Sequence, residues 1–178
     1  TSSQNWPKAM TLTSANAALA PAVQLETHAF QDRQDHPLKA EWRRRVMATE
    51  GVIWAEQGLV EQATRRHEEL IALEREAVAR NPRSAARRQV LFRRLLQSAP
   101  ALGLRDKARQ IALTREALAM TEGLAALSPG LRQTERDVVI CRGELTKLLV
   151  GIGALKEAKE HAELILAFAE KEFARQPE

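Results

Sequence analysis

Apolar residues recur along this chain at helical spacing. From Val138, the positions Cys141, Leu145, Leu148, Leu149 and Ile152 follow at steps of 3, 4, 3, 1 and 3, which puts them on one face of a helix with about 3.6 residues per turn. A second apolar face continues through Leu155, Ala158, Ala162, Ile165, Leu166, Ala169 and Phe173. Nearer the start, Val46, Met47, Ile53 and Trp54 precede Leu59, Ala63, Leu70, Leu73 and Ala77 in the same manner. The pattern predicts pairs of helices, each pair apolar on the side where its members meet. Residues 1–36 read differently: Thr1 to Pro7 is polar and expected to be loose, and an Ala-rich, helix-compatible stretch from Ala9 to Gln34 contains Pro21. A proline inside a helix removes a backbone donor and clashes with the preceding turn, so a break or kink is expected there.

From Pro37 onward the chain repeats itself. Gly58-Leu-Val-Glu-Gln-Ala63, Gly103-Leu-Arg-Asp-Lys-Ala108 and Gly153-Ala-Leu-Lys-Glu-Ala158 each place an alanine five residues after a glycine. Ala79-Arg-Asn-Pro82, Ala126-Leu-Ser-Pro129 and Ala174-Arg-Gln-Pro177 each place an alanine three residues before a proline. Counting Pro37, the prolines stand 45, 47 and 48 residues apart. Glycine suits a helix end that needs a left-handed residue, and proline ends the next helix because it cannot continue one. Each unit therefore reads as helix, Gly turn, helix, Pro turn, with units 37–81, 82–128 and 129–178. The alanine after each turn is small enough for two helices of a hairpin to approach closely. A lone hairpin would expose its apolar face, so the hairpins are expected to stack and share a core.

This spacing resembles that of the tetratricopeptide repeat (TPR) family, whose helix pairs carry a small residue at the turn, alanine five residues later and proline at the end. The resemblance covers about four fifths of the chain, and Gly51 and Trp54 match the small and aromatic positions of the family's first helix. The units exceed the family's usual 34 residues, and Leu96 and Thr146 stand where the second and third units should have a small residue. They look more like the long variant found in tandem in bacterial signalling proteins and kinesin light chains. The resemblance implies a solenoid whose first helices line a concave groove.

Composition agrees with helix. Ala (30), Leu (23) and Arg (20) dominate, Val and Ile together number 15, and Tyr is absent, a mix that favours helix and excludes an all-β fold. A single cysteine cannot form an internal disulfide, and no uncharged apolar window approaches about 18 residues, so a membrane span is not expected. No secretory signal is visible; the cytoplasm is the favoured compartment, and the opening Thr1 suggests a piece of a longer protein. Net charge is +4, but 23 acidic residues mix with 27 basic ones, which points only weakly to a polyanionic partner.

Candidate chemistry is sparse. His28, His36, His67 and His161 have no metal-ligand spacing, and Gly151-Ile-Gly153 lacks the rest of a phosphate loop. His67 is read as a packing residue, because Ala112 and Ala162 hold its position in the other units, and Cys141 as a core residue, because it lies on the apolar stripe. No catalytic residue, metal or cofactor is expected, and the chain is not read as an enzyme. Arginine stands out in Arg43-Arg44-Arg45, Arg65-Arg66, Arg87-Arg88 and Arg93-Arg94. Counted back from the turn glycines, the groove positions that the resemblance implies fall on Arg45, Ala48, Val52 and Ala55, then Val90, Arg93 and Gln97, then Ile140, Gly143, Lys147 and Val150.

The expected fold is thus an all-α solenoid of three stacked helical hairpins, preceded by an N-terminal helical segment (1–36) that caps the first or completes a half unit. The expected function is protein–protein interaction, with a peptide or helix, acidic in character, held in a groove by Arg45, Val52, Arg93, Gln97, Lys147 and Val150. A structural or self-associating solenoid, pairing through the terminal repeat, is the alternative. Nucleic-acid binding is the least favoured reading, since acidic residues interleave with the arginines and only seven aromatics are present.

Overall fold

The structure is a computed structural model that describes residues 37–175. Six helices make up 86% of the described residues, and no strand occurs among them. They are α1 (Pro37–Glu56), α2 (Val60–Arg80), α3 (Ala85–Gly103), α4 (Lys107–Leu127), α5 (Arg132–Gly151) and α6 (Leu155–Phe173). The fold class matches the sequence expectation: all-α, with consecutive helices packed as hairpins in the manner of a helical solenoid. The chain divides into two compact units, Thr1–Leu70 and Ile71–Glu178. The N-terminal segment expected to cap the first hairpin lies outside the described residues.

In the first unit, α1 starts at Pro37, where a missing backbone donor costs nothing. It ends at Gly58, whose φ of 75° lets the Leu59 N–H reach the Trp54 carbonyl at 2.8 Å and the Gly58 N–H reach that of Ala55. This is the left-handed helix end that the sequence expects of glycine. Ala63, His67 and Leu70 of α2 are buried. The two helices come closest where Gly51 faces the His67 ring: a Cβ on Gly51 would stand 2.8 Å from the ring's Nε2. His67 is thus the buried packing residue that the sequence suggested.

In the second unit, α3 packs on α4, α4 on α5 and α5 on α6. One continuous core joins them, from Leu91 and Leu95 through Leu113 and Ala117 to Cys141, Leu145 and Leu149, with Ala158 at the end. The α5–α6 turn repeats the first: Gly153 has φ of 77°, and Ala154 and Gly153 donate to the carbonyls of Leu149 and Val150.

The turn between α3 and α4 departs from the expectation. Gly103 is the last, buried residue of α3 and carries no positive φ. The turn runs from Leu104 to Asp106, and Asp106 caps α4 by accepting from the Arg109 N–H at 3.0 Å. Measured from the first residue of the second helix, the place of Ala63 and Ala158 belongs to Gln110, and that of Gly51 to Ser98. Gln110 and Ser98 are both buried, whereas Ala108 is exposed and Leu96 only half-buried. The second hairpin therefore runs two residues out of the register read from the sequence. The physical reason is that glycine here serves close approach rather than a left-handed turn: a Cβ on Gly103 would overlap the Gln110 carboxamide. A second departure lies in α6, where Ala158 alone is buried and Ala162, Leu166, Ala169 and Phe173 are exposed.

Two glycines of the second unit make the register testable. Gly103→Ala must displace the Gln110 side chain and is expected to cost roughly 1–3 kcal/mol. Gly143, in the middle of α5, has open space around its missing Cβ, so Gly143→Ala should stabilise by about 0.5–1 kcal/mol through helix propensity alone. Urea unfolding of both variants checks the pair; equal effects would contradict the Gly103–Gln110 contact.

Candidate functional site

The helices that carry the predicted groove residues form for local reasons. Ser84 caps α3 by accepting from the Arg87 N–H at 3.2 Å, which satisfies one of the donors orphaned at a helix start. The residues that follow put Leu91, Leu95, Ser98 and Leu102 on one side and Gln89, Arg93, Gln97 and Pro100 on the other. Arg93 and Gln97 are exposed, one turn apart, and the Gln97 carboxamide oxygen accepts from Arg94 Nη1 at 2.9 Å. On α5, Lys147 is exposed and donates to Glu144 at 2.7 Å, and Ile140 and Val150 are each 52% exposed. No hydrogen bond or ion pair links Arg93 or Gln97 to Lys147.

In the first unit Arg45 is exposed and pairs with Glu41 at 3.4 Å, while Val52 is half-buried. The register shift changes how these residues compare. The α3 positions equivalent to Arg45, Ala48, Val52 and Ala55 of α1, and to Ile140, Gly143, Lys147 and Val150 of α5, are Phe92, Leu95, Ala99 and Leu102. All four are buried. Arg93 and Gln97 therefore do not continue a row of one basic residue per hairpin; they belong to a separate exposed stripe of α3.

Electrostatics distinguish that stripe from the rest of the surface. Elsewhere arginines meet acids across helix boundaries. Arg75 of α2 bridges to Glu116 of α4, and Arg115 of α4 holds Glu157 of α6 through two contacts of 2.8 Å. Arg142 of α5 donates to Glu122 of α4 and reaches His161 of α6 at 3.2 Å. Arg66 bridges Glu50 at 2.8 Å and Glu69 at 3.0 Å and lies over the Trp54 ring at 5.2 Å. The Glu116 carboxylate, by hydrogen bonding, pushes the Arg75 guanidinium further up from its ordinary value, against the opposing effect of burial.

Around α3 the balance differs, although Arg80 at the end of α2 pairs with Glu76. From Ala77 to Arg105 the sequence contains seven arginines and not one aspartate or glutamate. Of these, Arg83, Arg87 and Arg93 are exposed and form no ion pair among the described residues. The arginine doublets drew attention in the sequence, but the stronger signal, the stretch of 29 residues without an acid, is found only by counting what is absent between them.

Cys141 is fully buried, with the Thr121 hydroxyl 3.8 Å from its sulfur, and burial pushes the thiol up to about 11. Among the described residues no group of three His, Cys, Asp or Glu could hold a metal ion, and no helix is long and apolar enough to cross a membrane. No family model, curated protein or solved structure matches the chain.

The state of Cys141 has two measurable consequences. A thiol reagent near neutral pH should label the native chain slowly and the urea-unfolded chain fast, because a buried thiol stays protonated. Since its pKa is raised on folding, its contribution to stability is complete below the ordinary value of 9.0 and lost as pH climbs toward about 11. Unfolding free energies across that window should fall more steeply for the native sequence than for Cys141→Ala. Identical slopes would place the thiol in water.

Proposed function

We propose that the chain is a protein-interaction module, a binding rather than a catalytic unit, whose α3 face receives an acidic peptide or an acidic helix of a partner within a signalling or regulatory assembly. The observation that carries this reading is the exposed, unneutralised set of Arg83, in the turn just before α3, and Arg87 and Arg93 on α3, a helix that has no acid along its length. Guanidinium groups not already engaged by carboxylates lose no existing pair on binding one, and each can clamp a carboxylate through two parallel hydrogen bonds. Gln97 and Pro100 extend the stripe of Arg93 with a polar and an apolar contact.

The resemblance to TPR proteins supports the reading at the level of architecture. Buried small residues at Gly51 and Ser98, and buried Ala63 and Ala158, occupy the close-contact positions of such hairpins. Stacked hairpins offer long, rigid surfaces suited to peptides and helices. Lys147, with Ile140 and Val150 beside it on α5, adds a mixed apolar and basic surface that a longer partner could also engage.

Arg93→Glu combined with Arg87→Glu should weaken binding of a fluorescent peptide rich in Asp and Glu by about 1–3 kcal/mol, with helical circular dichroism unchanged. The affinity of the native chain for that peptide should fall as salt rises. Exposed Arg65 on α2, changed to Glu, should have a smaller effect. A single-stranded RNA that binds more tightly than any acidic peptide, with a steep salt slope, would assign the arginines to phosphates instead.

A further inference from the structure

The last helix of the second unit leaves a seam uncovered. On α6, Leu155, Lys159, Ala162, Leu166, Ala169 and Phe173 follow one another at alternating steps of four and three, the spacing of a coiled-coil contact line. All six are exposed, Leu155 at 63%, Leu166 at 59% and Phe173 at 80%. The side of α6 that faces α5 is a different one, marked by buried Ala158 and half-buried His161, Ile165 and Phe168.

The preceding hairpin indicates what shape of neighbour fits there. Counted from the first residue of each helix, Ala162, Leu166 and Ala169 correspond on α4 to Thr114, Leu118 and Thr121. Those three are buried, and the Thr121 hydroxyl meets Cys141 of α5. A helix thus covers this line on α4, and a helix is the matching neighbour for α6.

We propose that this neighbour is α6 of a second copy of the chain, packed antiparallel about a two-fold axis at the level of residue 164. Two features of the seam point to self-pairing. Under that symmetry residue numbers facing each other sum to 328, so Leu166 packs over Ala162 of the second copy, Phe173 over Leu155, and Lys159 over Ala169. The layers Leu166 over Ala162 and Lys159 over Ala169 each set a long side chain against an alanine, and the outer layers bring Phe173 and Leu155 together as an apolar contact. The charges beside the seam also match: Lys156 near the start of α6 comes within two residues, about 3 Å along the axis, of the level of Glu170 near the end of the second copy's α6, twice per dimer. Glu163 would approach its own equivalent across the axis, and Lys159, 3.6 Å from Glu163 in the same helix, offsets that repulsion.

A helix of 19 residues is about 28 Å long. A single helix pair of that length buries less than the roughly 800 Å² per partner of a standard interface. The pairing is therefore weak and reversible, with dissociation in the micromolar range or above. It uses α6 and is independent of the α3 arginines.

Sedimentation equilibrium of the full chain between about 1 μM and 1 mM tests the proposal. The native chain should pass from monomer to dimer across this range, and Leu166→Glu, at an exposed site that leaves the fold intact by circular dichroism, should weaken dimerisation at least about 100-fold. Lys156→Glu and Glu170→Lys should each weaken it by roughly fivefold to tenfold, and the two together should restore it, because the swapped charges again face opposite partners. A chain that stays monomeric throughout, a dimer indifferent to Leu166→Glu, or a double charge swap that fails to restore pairing would each overturn the antiparallel α6 dimer.

Discussion

The surface of the second unit is governed by one close contact, that of Gly103 at the end of α3 with the buried side chain of Gln110 on α4. Two helices can meet there only because Gly103 has no Cβ. In the other two turns a left-handed glycine ends the first helix and an alanine four places into the second lies at the crossing. With Gln110 in that alanine's place, the face of α3 that turns inward is Leu91, Leu95, Ser98 and Leu102, and the face that turns outward carries Arg93, Gln97 and Pro100. A shift of one residue would rotate every side chain of α3 by about 100° and drive Arg93 toward the core. The packing of a glycine against a glutamine side chain at a turn thus bears on which charges the solvent, or a partner, meets.

Charge placement then separates this helix from its neighbours. Three acids of α4 and α6 are used internally: Glu116, Glu122 and Glu157 each hold an arginine from another helix. Such pairs are partly exposed and individually contribute little to stability, but they neutralise the surfaces they occupy. α3 has no acid to do this, and its arginines project a positive potential that salt screens over a distance of about 8–10 Å. The same chain can therefore be near balance in its overall charge, at +4, and strongly basic along one helix.

Much of the architecture could be read from spacing. The stripe from Val138 to Leu149 is the core-facing line of α5, whereas Ile152, just past its end, is exposed; Gly58 and Gly153 occupy the left-handed positions expected of them. Gly103 was misleading because two physical demands, a positive φ and a close approach, select the same residue, and a five-residue interval to Ala108 fitted the first by coincidence. In α6 the apolar positions from Leu155 to Phe173 looked like a single face; they are two adjacent lines, only one of them covered, because alanine satisfies the pattern on either side. Periodicity reports which positions are apolar and says nothing about what lies against them. For the candidate site, the sequence located arginine correctly on α3, whereas the intended alignment of Arg45, Arg93 and Lys147 rested on the misplaced turn.

On the proposed function, α3 is the surface a partner contacts. Hydrogen exchange of the full chain, measured by mass spectrometry with and without a saturating peptide rich in Asp and Glu, reads this directly, since an occupied helix face opens less often. The account predicts slower exchange confined to peptides spanning Asn81–Gly103, with α2 and α6 unchanged. Protection that falls on α5 or α6 and leaves Asn81–Gly103 unaltered, or no protection at a concentration where binding is saturated, would contradict it.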